Sequence, residues 1–178
     1  MPLVVFLRGV NVGGHKAFQP SRLAKELAHL GAINVGAAGT FVIPGAISQG
    51  ALRAEILERL PFAAEVMICP AREVIELAGS EPFPKGRANE DRRRFVSVMG
   101  KRPGRLPELP IHQPPGDAWE VKVVGVSGRF ALSLWRPTGR PFRDPNAIVE
   151  KRIGVSATTR NWNTIIKIGE LLKQGRQR

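Results

Sequence analysis

The chain has one cysteine, Cys69, three scattered histidines and no tyrosine among its 178 residues. A lone cysteine excludes an intramolecular disulfide, and Cys69, inside AEVMICP, reads as core. Histidines without CxxC or HxxxH spacing leave no metal site and no cofactor to expect. Long apolar runs are missing too. No stretch approaches the roughly 18 apolar residues of a membrane span, and the opening MPLVVFLRGV has neither a basic leader nor a small-residue cleavage site. A cytoplasmic protein with no membrane partner is expected. There is also no GxSxG elbow, no conspicuous carboxylate pair and no cysteine beside an obvious base, so the sequence names no reaction and leaves open whether the protein is an enzyme.

Acidic residues are the other scarcity, and they are scarce unevenly. Residues 1–79 hold seven Lys/Arg against six Asp/Glu, whereas residues 80–178 hold twenty against nine, so nearly all of the net charge of +12 lies in the second half. Clustered cations favour a polyanionic partner because they release counterions when they meet phosphates. Arginine outnumbers lysine nineteen to eight in a chain also rich in alanine, glycine and proline, a bias that GC-rich codons also produce.

What is present is enough apolar residue, 43%, for one domain or two small ones. In residues 1–79 the pattern reads strand, helix, strand, strand, helix, strand. LVVFLR is a β-rich run. SRLAKELAHLG puts Leu23, Leu27 and Leu30 on one helical face and stops at Gly31. AINVGA and TFVIPG are short strands. SQGALRAEILERLP starts at the N-cap residue Ser48, aligns Leu52, Ile56 and Leu60, and ends at Pro61. AEVMICP is the last strand and REVIELAG a connecting helix. The order βαββαβ predicts a ferredoxin-like α+β unit, an antiparallel sheet with both helices on one face and the other face available.

Residues 80–178 read as a modified copy. RFVSVMG, AWEVKVVG and GRFALSLWR alternate with a period of two, with a turn placed at Gly125–Gly128. RPGRLPELPIHQPPGD is a proline-rich loop where a first helix belongs. PNAIVEKRIG predicts a helix, SATTR an extended segment and NWNTIIKIGELLKQ a terminal helix. The expected domains are therefore 1–79 and 80–178.

Two motifs carry more polar groups than local structure needs. LRGVNVGGHK leaves a strand through a glycine-rich loop, where Arg8, Asn11, Gly13 and Gly14 are candidate anion ligands: glycines admit backbone nests and arginine offers a planar fork of donors. The loop is no nucleotide triphosphatase loop, because His15 and Lys16 stand where lysine and a hydroxyl are required. In ATTRNWNTIIKIG, Trp162, Ile165, Ile168 and Leu172 form an apolar helical face, one asparagine suffices as a cap, and the surplus marks Arg160, Asn161 and Asn163 as candidate anion ligands. Convergence of Arg8, Asn11, Arg160, Asn161 and Asn163 in one region is expected.

LRGVNVGG near the start, EVKV, and GVSATTRNWNT before the last helix resemble the bacterial family catalogued as domain of unknown function 1697. The resemblance implies two ferredoxin-like subdomains and no established activity. The family similarly tends to carry QSGNVVF where this chain has AAGTFVI, so Ala37, Ala38 and Thr40 stand in place of glutamine, serine and asparagine.

The leading expectation is binding of a phosphate-bearing partner, nucleic acid above all, through Arg92, Arg93 and Arg94 of DRRR and Lys101, Arg102 and Arg105 of KRPGR. Phe95, Phe130 and Trp135 are the strand aromatics placed to stack on bases. The alternative is an enzyme or ligand-binding protein for a small anionic, nucleotide-type ligand, with a pocket formed by LRGVNVGG and TTRNWNT.

Overall fold

The computed structural model describes residues 1–10, 18–85 and 92–175. LVVFLR forms β1 (Leu3–Arg8). Proline at the first helical position then opens α1 (Pro20–Glu26), since its fixed φ suits a helix start. This helix is shorter than the leucine spacing predicts: the chain tightens into a 3-10 turn at Ala28–Leu30 and leaves through Gly31 in the left-handed region. β2 (Ile33–Asn34) and β3 (Thr40–Ile43) follow. Ser48 caps α2 (Gln49–Arg59) by accepting from the Ala51 amide at 3.1 Å. β4 (Glu65–Pro70) and α3 (Ala71–Gly79) complete the run.

β1 pairs antiparallel with both β3 and β4, and the sheet order is β2-β3-β1-β4, the ferredoxin-like arrangement. Leu3, Val5 and Leu7 of β1 share a cluster with Leu23 and Leu27 of the α1 segment and Leu52 and Ile56 of α2, so both helices cover one face. The other face is not available: Val4, Phe6, Val42, Met67 and Cys69 are buried as well. The strands announce this, because LVVFL and VMIC are continuous apolar runs rather than alternating ones. Gly39 fixes the β2–β3 connection. It sits at φ 70°, and a Cβ there would lie 2.9 Å from both Leu7 and Val10, where only glycine fits.

The second sheet repeats that frame. β5 (Arg93–Met99), β7 (Val121–Ser127), β8 (Phe130–Trp135) and β9 (Ala157–Asn161) lie in the order β7-β8-β5-β9, with α4 (Asn146–Ile153) between β8 and β9. In place of the first helix, the proline-rich segment supplies an unforeseen edge strand, β6 (Ile111–Gln113), paired to β7. Gly125 is not in the turn. It marks a register shift inside β7, and the hairpin closes at Ser127–Phe130. Ile148, Val149 and Ile153 of α4 pack with Met99, Val121 and Ala157 on one face, while Val96, Val98, Leu132 and Leu134 on the other are also buried. The fold is α+β, with two antiparallel sheets and five α-helices among the described residues.

Packing divides the chain into two units, Met1–Gly79 with Ile166–Arg178, and Ser80–Ile165. The terminal helix α5 (Trp162–Gly175), placed in the second half by sequence order, thus contributes most of its length to the first unit. Gly169 explains how: a Cβ there would come within 2.8 Å of the Ala78 Cβ, so α5 lies hard against α3. Among the described residues no helix is long and apolar enough to cross a membrane.

Candidate functional site

Within the second unit, the strand period of two splits three consecutive arginines between the two faces of β5. Each then finds a ring. The Arg93 guanidinium lies 5.2 Å from the centre of Trp135, its partner in the β5–β8 ladder. Arg92 lies 5.6 Å from Trp119, and Arg94 5.7 Å from Phe83. Such contacts contribute about 0.5–1 kcal/mol each at exposed sites. Their effect here is to hold three cations in fixed places without a direct ion pair among the described residues; Glu81, paired with Lys85, feels the Arg94 charge but makes no ion pair with it. Phe83 in turn packs edge-on against Trp162 at 5.2 Å, joining the start of β5 to the start of α5.

β9 runs beside β5 with Asn161 opposite Phe95, so the TTRNWN segment ends next to the arginines. Its polar groups divide by role. The Ser97 hydroxyl donates to Thr159 Oγ1 at 2.7 Å, and Thr159 donates to Asn146 Oδ1 at 2.7 Å, tying β5 and β9 to the start of α4. Arg160 is 6% exposed and donates to Thr158 Oγ1 at 2.9 Å and to the Thr159 carbonyl at 2.8 Å. Desolvation pushes its pKa down to about 10, partly offset by Asp144, and leaves it cationic at neutral pH. The Asn161 side chain accepts from the Asn163 amide at 2.9 Å and caps α5.

A concavity of about 300 Å³ opens among Arg92, Arg93, Arg94, Asn161, Trp162 and Asn163. It unites three residues expected to contact nucleic acid with two expected to hold an anion, and Arg160 is not among its lining residues. Lys101, Arg102 and Arg105 are exposed but lie beyond the opposite end of β5. At a rise of about 3.3 Å per residue, Lys101 is roughly 23 Å along the chain from Arg94, so DRRR and KRPGR are separate patches.

Arg8 ends β1 in the first unit, facing Glu65 across the ladder, and donates to its carboxylate at 3.2 Å. Asn11, Gly13 and Gly14 lie outside the described residues. Arg8 and Arg160 fall in different units, each described by itself.

The strand aromatics expected to stack on bases are largely buried, and the exposed ring beside them is Phe142, at 49%. Phe130 is 3% exposed, Trp135 9%, Trp119 8% and Phe83 6%, while Phe95 is half-buried against Phe142 at 5.0 Å. The sequence reading missed Trp119 and its surroundings. Arg136 lies 4.0 Å from that ring and Lys122 5.5 Å, with His112 stacked on it at 6.1 Å. Glu120, next in the chain and 5% exposed, is already engaged by Arg140 at 3.0 Å and Arg143 at 3.4 Å. Among the described residues no carboxylate forms an ion pair with Arg92, Arg93, Arg94, Lys122 or Arg136. The signal that would have exposed the cluster is the cross-strand register, which sets Arg93 against Trp135 and Lys122 in line with Arg94.

Fold and site together define a two-unit α+β protein on ferredoxin-like sheets, with an arginine-lined concavity inside the second unit, between the start of β5 and residues 161–163. The chain belongs to the family described as protein of unknown function (DUF1697), whose model matches residues 1–123. That match includes the three arginines and stops short of Asn161–Asn163. The chain is similar to a conserved bacterial protein of Streptococcus pneumoniae, with 18% identity over 96% of this chain and 98% of that one and a TM-score of 0.57, a likeness of fold. It matches no curated protein.

Proposed function

We propose that the protein binds a phosphate-bearing partner, nucleic acid, at the concavity formed by Arg92–Arg94 and Asn161–Asn163. The observation that carries this reading is the gathering of three arginines, each resting on a buried ring and none ion-paired to a carboxylate among the described residues, around a hollow of about 300 Å³. Like charges held that close repel, and an anion in their midst converts the repulsion into attraction. Phosphate matches the guanidinium fork in charge and shape. Because the rings beneath the arginines are buried, recognition runs through the backbone and is indifferent to base sequence.

The test is a fluorescence-anisotropy titration of the whole protein with a labelled single-stranded oligonucleotide at several salt concentrations. If roughly four phosphates are neutralised, log K falls with log salt at a slope near −3. Arg94→Gln flattens that slope. Affinity that ignores salt, or no binding at low salt, overturns the reading.

A further inference from the structure

The ladder registers line up cations well beyond the concavity. His112 faces Lys122, Lys122 faces Leu134, and Leu134 faces Arg94. Directly opposed residues of an antiparallel pair share a face, so these four lie in one straight row across β6, β7, β8 and β5. The row spans three inter-strand gaps, about 14 Å. Arg92, two residues before Arg94, and Arg136, two after Leu134, extend the same face just past the strand ends. Trp119 organises the middle: the heads of Arg92, Lys122 and Arg136 all lie within 5.6 Å of its ring centre. The cations of the row and those of the concavity therefore form one continuous strip, with Arg94 and its neighbour Arg92 common to both.

We infer that the concavity is one end of a track for consecutive phosphates of a single polynucleotide strand, running across the strand ends from Arg94 over Trp119 to Lys122. This rests on the phosphate-binding reading above and deepens it. A mononucleotide fills the hollow and leaves Lys122 and Arg136 without an anion. A strand continues over them, its phosphates about 3.4 Å apart in rise when stacked and farther when splayed, so the row has room for several. A duplex does not fit as well, because a phosphate entering a hollow has to leave the regular path of the helix. The bases point away from the protein, since the strip lies over rings already roofed by guanidinium groups.

The test uses the full chain with three probes, thymidine 5′-monophosphate, a thymidine trinucleotide and a thymidine hexanucleotide, read through intrinsic tryptophan fluorescence. All three tryptophans of the sequence, Trp119, Trp135 and Trp162, lie in this region. The hexanucleotide is expected to bind at least tenfold more tightly than the monophosphate at low salt, with the trinucleotide between. Lys122→Gln is expected to flatten the hexanucleotide salt slope by about 0.7, the share of one phosphate on a single strand, and to leave monophosphate affinity unchanged. Lys122→Arg restores the slope. Equal affinity for all three probes, together with a silent Lys122→Gln, overturns the track while the concavity stands. Failure of every probe to bind overturns the phosphate-binding reading and the track with it. If Lys122→Gln does not fold, the length series on the unaltered protein decides alone.

Discussion

β2-β3-β1-β4 in the first unit and β7-β8-β5-β9 in the second are the same strand order, yet the two units use their charges in opposite ways. In the first, Arg8 reaches Glu65, Arg22 reaches Glu26, and Glu55 takes both His29 and Arg59, so cations and carboxylates consume one another. In the second, sixteen Lys/Arg side chains face eight Asp/Glu, the buried Glu120 is engaged by two loop arginines, and Arg92–Arg94 lean on aromatic rings instead. The frame itself is indifferent to this, because a fold is fixed by pattern and packing while function lies in the site mounted on it. Replacement of the first helix by a proline-rich segment and β6 is the large topological change among the described residues, and β6 brings His112 beside Lys122 and Trp119.

The contrast breaks most sharply on a core substitution. Phe41 is fully buried among Leu3, Val5 and the α1 and α2 leucines. Phe41→Ala is expected to lower stability by about 3–5 kcal/mol, read as a shift in denaturant midpoint. Where the variant is still folded, its salt slope for oligonucleotide binding should match the parent. A changed slope would mean that the first unit takes part in binding directly.

Arg160 tests the comparison from within the charged unit. Buried and hydrogen-bonded to Thr158 and the Thr159 carbonyl, it behaves like the paired charges of the first unit. Arg160→Ala is expected to cost about 1.5–3 kcal/mol, the range for hydrogen bonds to a charged group. Binding per folded molecule should not change. Loss of binding with stability intact would return Arg160 to the site.

Gly169 sharpens the assignment of the terminal helix. Gly169→Ala forces a methyl group toward Ala78, and overpacking of this kind costs about 1–3 kcal/mol. A neutral or stabilising result, read as a melting temperature, would deny the close approach of α5 to α3.

Much of the frame was legible in the sequence because periodicity and punctuation are local. Leu52 and Ile56 on one helical face, Ser48 as a cap and Gly31 as a stop all act within a few residues of themselves. β6 was not legible, since IHQ between prolines has no period to read. Gly125 misled because a glycine inside a strand can mark either a turn or a bulge, and the choice depends on where Phe130 and Ala131 find their partners. The candidate site was half legible. The charge of DRRR and the polarity of TTRNWN stand out, whereas Trp119 under Arg92 and Trp135 under Arg93 depend on strand pairing across distant segments. The threonines of TTRNWN are structural: they bind Ser97, Asn146 and Arg160.

The smallest effect makes the finest comparison, because each unit contributes one polar side chain that caps a helix and only one of those caps lines the concavity. Ser48 caps α2 in the first unit and Asn161 caps α5. Ser48→Ala is expected to cost about 1 kcal/mol and to leave binding alone. Asn161→Asp is the informative partner. Aspartate caps as well as asparagine, and its charge suits the positive end of the helix, so stability should hold or rise by a few tenths of a kcal/mol. The same carboxylate, however, stands among Arg92, Arg93 and Arg94, where it occupies a guanidinium that a phosphate would otherwise take. Oligonucleotide affinity should therefore fall, and the salt slope should flatten by the share of about one phosphate. A variant that is as stable as the parent and binds as tightly would remove Asn161 from the site and reduce its role to that of Ser48, a cap and nothing more.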